Sequence, residues 1–152
     1  MRCLRPLAIA ALAITLLSVS GSTTAQERKS RADDQKYWDC AKACDDCGRV
    51  CDACATHCAR LIADGKKEHV HTQQTCLDCA SICRAAGAVT ARSGVFSDLI
   101  CAACADACKR CAEACDHHKD DPVMKRCADE CRTCEQACRE MLKHVGHKAE
   151  KR

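Results

Sequence analysis

A chain of 152 residues with a formal net charge of +3 is long enough for one small domain and too weakly charged to attract nucleic acid or anionic lipid through its field. Aromatic residues make up 2 %, with Tyr37, Trp38 and Phe96 the only rings, so an ordinary apolar core would be thin. Nineteen cysteines stand in its place, a count that points to a disulfide scaffold or a metal protein.

In chain order, the first stretch reads as an export signal. Arg2 and Arg5 give a basic start, and Leu7–Val19 (LAIAALAITLLSV) is an apolar run too short for a membrane span. Small residues follow, with Thr23 and Ala25 placed for cleavage after residue 25. Loss of residues 1–25 removes Cys3 and lowers the formal charge from +3 to +1, since Arg2 and Arg5 go with it. The mature chain then has no membrane segment, and its expected compartment is a bacterial periplasm. Residues 26–35 are polar and are expected to be flexible.

From residue 36 the cysteines fall in four blocks. The first is Cys40, Cys44, Cys47, Cys51, Cys54 and Cys58; the second is Cys76, Cys79 and Cys83. The third is Cys101, Cys104, Cys108, Cys111 and Cys115; the fourth is Cys127, Cys131, Cys134 and Cys138. Every step within a block is three or four, the spacing that keeps side chains on one face of an α-helix. Between cysteines stand mostly Ala, Lys, Arg, Asp and Glu, which favour helix and suit an outer face. Breakers separate the blocks: Gly65, Gly94, and Asp121–Pro122, an N-cap followed by the proline allowed at the first helical position. Gly48 and Gly87 sit inside predicted helices and weaken them locally. Short connections make neighbours antiparallel, which predicts an all-α, up-down-up-down four-helix bundle over residues 36–146 with a cysteine-lined core and a polar tail at 147–152.

Several chemistries fit a row of thiols. A framework of disulfides suits an exported chain, but cysteines on one face of one helix point the same way, and the loops, where disulfide frameworks are stapled, contain none. An iron–sulfur cluster wants four thiolates converging from a loop. Zinc wants separate tetrahedral foursomes. Cu(I) is soft, accepts two or three sulfurs, and shares bridging thiolates, so a seam could hold roughly one ion per thiol. Each Cu⁺ also neutralises one thiolate, which removes the cost of burying a row of charges. No nucleophile–base pair, phosphate loop or nucleotide fingerprint is present, so no catalytic role is expected.

The seams continue past the cysteines. Met124 is three before Cys127, Met141 three after Cys138, His118 three after Cys115, and His69 seven before Cys76. An up-down bundle should gather His57, His69, His71, His117, His118 and Met124 at one end, where exchangeable ligands could pass Cu(I) in and out. Of these, His118, Met124 and His69 are the candidate additions to the eighteen cysteine ligands. Met141, His144 and His147 belong to the opposite end.

The motifs CAKACDDCGRVCDACATHC, CLDCASIC, CAACADACKRCAEAC and CADECRTCEQAC together resemble those of the four-helix-bundle copper storage proteins, over residues 37 to about 145. The resemblance implies an antiparallel bundle holding many Cu(I) ions on inward cysteines, for copper homeostasis or detoxification. It implies a homotetramer, and a cuproenzyme or copper chaperone as recipient of the metal. Eighteen core cysteines is a count more like that of the cytosolic members, whereas the apolar leader indicates export.

Overall fold

The computed structural model describes the chain from residue 23 to residue 150, with side chains described throughout 30–146. Arg2, Arg5 and the Leu7–Val19 run of the expected signal lie outside the described residues, as does the side chain of His147. Four helices follow one another: α1 (Thr23–Ala63), α2 (Val70–Thr90), α3 (Ser97–Asp116) and α4 (Pro122–Glu150), with a single 3₁₀ turn at Lys67–His69 before α2. Each helix packs against its two sequence neighbours around the ring, α4 closing against α1, as an up-down-up-down bundle requires.

The predicted breakers end the helices for identifiable reasons. Gly65 has φ +89, a left-handed backbone that a Cβ would strain, and the turn it makes donates Gly65 N–H to Ile62 O and Lys66 N–H to Leu61 O, both at 3.0 Å. Asp121 caps α4 as expected: its Oδ1 accepts from Val123 N at 2.8 Å and Met124 N at 3.3 Å, and Pro122 takes the first helical position. α2 runs unbroken through Gly87. The residue is buried against α1, and a Cβ there would run into the Asp45 carboxylate and come within 3.3 Å of the Ala41 carbonyl.

Residues 26–35 are helical, although their lack of pattern predicted a flexible lead-in. At about 1.5 Å per residue, α1 is about 60 Å long and α4 about 43 Å, against about 30 Å for α2 and α3. The start of α1 therefore runs beside the end of α4 beyond the other two helices, and Asp33 meets His144 there at 3.7 Å.

The core has an unusual composition. Among the described residues, the buried apolar set is eighteen cysteines, a few alanines flanking them, Tyr37, Met124 and Met141, with no Leu, Ile, Val, Phe or Trp. Half-exposed ion pairs, Arg84 with Asp52, Arg132 with Asp116 and Arg139 with Asp106, tie α1 to α2 and α3 to α4 on the outside. Such pairs contribute at most about 1 kcal/mol each.

Candidate metal centre

The helical step of three and four turns every cysteine of each block to the bundle axis, and all eighteen are buried free thiols. Between Cys40 and Cys58 they line a tube about 27 Å long. Neighbouring sulfurs lie 3.6–4.0 Å apart, the short contacts being Cys44–Cys138, Cys51–Cys131 and Cys83–Cys108 at 3.6 Å. That is van der Waals contact, far from the roughly 2.05 Å of a disulfide.

The sulfurs form overlapping foursomes, each with all Sγ atoms within 4.8 Å of one another. Passing along the tube these are Cys44/Cys104/Cys134/Cys138, Cys47/Cys83/Cys108/Cys134, Cys47/Cys51/Cys79/Cys131, Cys51/Cys111/Cys127/Cys131 and Cys54/Cys76/Cys115/Cys127. A continuous seam is expected to supply no discrete foursomes; the helices' relative register, which the sequence does not contain, brings the sulfurs together in fours. They are not separate sites, because Cys47, Cys51, Cys127, Cys131 and Cys134 each serve two. Four thiolates around a divalent ion leave a buried double negative charge, whereas one monovalent ion per thiolate leaves none. The shared, fully buried donor set thus favours a soft monovalent cation.

The thiols are not equivalent. Contacts with neighbouring thiols hold the pKa values of Cys44, Cys47, Cys79 and Cys127 well below the usual thiol range, the leading partners being Cys104, Cys108, Cys108 and Cys111. Cys115 is lowered to about 6, chiefly by Cys111. Every foursome named above contains at least one of these five. The other thirteen are pushed up, in the middle of the tube and at its ends alike: Cys111 leads the rise at Cys131, Cys54 and then burial push Cys58 up, and Cys138 pushes Cys101 up.

One end of the tube is closed by the predicted cluster, in part. His69 and His118 pack ring to ring with centroids 4.1 Å apart, and Met124 is fully buried. His69 is buried and its Nδ1 has no hydrogen-bond partner. Burial, with His118 adding to it, lowers its pKa, so the ring is neutral and keeps a lone pair for a metal. His57 lies alongside but is engaged otherwise, its Nε2 2.7 Å from the Asp121 carboxylate. His71 and His117 do not join the cluster; both face outward onto a groove between α2 and α3.

At the other end α2 supplies no sulfur. Ala86 and Thr90 fill its place, Thr90 bonding back to Ala86 O at 2.7 Å, so the last layer is Cys40, Cys101 and Cys138. Met141 is buried there, and Tyr37 meets His144 edge to face with ring centroids 5.6 Å apart. Nothing in the spacing of cysteines could have revealed that pairing, because it depends on the joint extension of α1 and α4. Cys40, Met141 and His144 line an open cavity of about 500 Å³.

A four-helix bundle whose entire interior is a continuous, overlapping thiol site defines a class: a protein that holds many soft metal ions in its core rather than one at a site. The sequence profile of the copper storage protein family matches residues 33–143, and the chain belongs to that family. Among solved structures, a cytosolic copper storage protein from Streptomyces lividans, determined with five coppers, is 33 % identical with a TM-score of 0.65, the match covering 74 % of this chain and 96 % of that one. The Cu(I)-bound copper storage protein BsCsp3 is 34 % identical with a TM-score of 0.64, over 70 % and 98 %. The Nmul_A1745 protein of Nitrosospira multiformis is 30 % identical with a TM-score of 0.62, over 72 % and 97 %. A comparison with curated protein sequences gives no match.

Proposed function

We propose that this protein stores Cu(I), binding many ions along the tube through the eighteen inward cysteines from Cys40 to Cys138, with His69, His118 and Met124 as exchangeable ligands at one end. The observation that carries the reading is the run of overlapping, buried thiol foursomes, which suits a chain of bridged monovalent ions. Storage asks no chemistry of the protein beyond binding and release. The store serves copper homeostasis, as a reserve for a cuproenzyme or a copper chaperone, or as a sink against toxicity. Anaerobic titration of Cu(I) into the reduced protein, against a strong colorimetric Cu(I) chelator, tests it. The chelator should stay colourless until more than about ten equivalents are added. Colour after one or two equivalents would refute the store.

The leader supports export, against the cytosolic description of the Streptomyces relative. The expectation is a loaded protein in the periplasmic extract, eluting from size exclusion as a tetramer of the chain that remains after residue 25. Recovery with the cytosol, or elution as a monomer, would remove the corresponding half of that statement.

A further inference from the structure

Sixteen of the eighteen core thiols are sealed to 0 % exposure, Cys58 beneath the histidine cluster included. The two exceptions are Cys40, at 3 %, and Cys79, at 1 %. Cys40 faces the end cavity already described. Cys79 is in the middle of the tube, and it lies on the floor of the groove between α2 and α3, a cavity of about 650 Å³.

The groove follows from the residues on its two walls. On α2 the stripe is His71, Thr75, Asp78 and Ile82; on α3, the positions facing α2 include the outward alanines Ala103 and Ala107 and the buried Ala114. Alanine carries nothing past Cβ that could reach across and cover Cys79. The wall is also weakly stapled. Among the described residues no ion pair joins α2 to α3, while ion pairs join α1 to α2 and α3 to α4, and Asp33 meets His144 between α1 and α4. The side chain of Thr72 donates to Ala114 O at 3.3 Å near one end of the seam, above the level of Cys79. Around the rim stand three carboxylates, Asp78, Asp106 and Glu113, with the imidazoles of His71 and His117, against one cation, Arg110. That rim attracts cations and offers them nitrogen and oxygen donors before sulfur. Inward from the rim, Cys79 donates to Cys108 at 3.8 Å, touches Cys83 at 3.9 Å, and belongs to the Cys47/Cys51/Cys79/Cys131 foursome.

We propose that the α2/α3 groove is a lateral port, through which a monovalent soft cation, Cu(I), reaches the central foursome at Cys79 without passing either end of the tube. The proposal rests on the copper-storage reading for the identity of the ion, but the port itself is testable without copper. Brief treatment of the reduced apoprotein with iodoacetamide, followed by peptide mass mapping, should label Cys79 at least about tenfold faster than Cys127. Cys127 is the proper control, since it belongs to the same run of foursomes yet is sealed. Filling the groove with Ala103→Leu and Ala107→Leu, both outside the core, should bring Cys79 down to the Cys127 rate and leave Cys40 labelling unchanged. In stopped-flow loading with Cu(I) alone, the same variant should fill several-fold more slowly to an unchanged final stoichiometry. Equal labelling of Cys79 and Cys127 in the natural protein would overturn the port, whatever the variant does. Unchanged loading by a folded variant that has lost Cys79 labelling would overturn its role in copper entry. A titration that ends at one or two equivalents would instead remove the copper reading while leaving the labelling result intact.

Discussion

Fully loaded protein is expected to melt more than about 20 °C above the metal-free form in anaerobic calorimetry. The reason lies in the core. With no Leu, Ile, Val, Phe or Trp buried among the described residues, the metal-free bundle is held by cysteine, alanine and a few larger side chains, small hydrophobes that each contribute little. A ligand present at about a thousand times its dissociation constant adds about 4 kcal/mol per site. Summed over some ten sites, that is tens of kcal/mol, reduced by whatever the unfolded thiols bind. A domain of this size gains about 2–4 °C per kcal/mol. Coincident melting curves for the empty and the filled protein would contradict the view that the ions complete the core.

Acidification is expected to empty the store. A thiol whose pKa lies above the working pH must lose its proton to bind Cu⁺, so each such ligand weakens binding about tenfold for each unit the pH falls. Cys101 is pushed up by its contact with Cys138 and by burial, and Cys40 is raised chiefly by Cys101. An ion bridging those two should lose about a hundredfold in affinity per unit. Cys115, lowered to about 6, is already thiolate at neutral pH, so its share of the penalty begins only below about 6. Competition with a Cu(I) chelator at two pH values, together with proton release followed in weak buffer, measures both effects. A stoichiometry of protons near zero would refute the assignment. Acid acts on the fold in the same direction through His69. Its pKa is lowered in the folded state, so the unfolded chain takes up the proton more readily and stability falls as pH drops through the ordinary histidine range.

How much of this was written in the sequence depends on whether a feature is local to one helix. The three-and-four step of Cys40 to Cys58 fixes both the helix and the face it buries, and Gly65 and Asp121–Pro122 mark where helices end. The meeting of His69 and His118 followed from antiparallel order alone. Features that depend on two helices at once were not legible. The overlapping foursomes require the axial register of all four helices. The helical lead-in at 26–35 has no repeat of its own and is matched by the end of α4. Ala103, Ala107 and Ala114 look like ordinary helix formers, and only their position opposite Cys79 makes them the wall of a groove. His71 and His117 differ from their neighbours His69 and His118 by a rotation about the helix that spacing near a turn does not resolve.

The scarcity of bulky apolar side chains inside the bundle ties the lifetime of the molecule to its cargo. A chain that is empty opens more often, and an opened chain is cut by proteases in proportion to how often it opens. Filled copies would persist while empty ones are cleared. The amount of this protein in a cell would then track copper supply by survival alone, with no sensor and no change in synthesis.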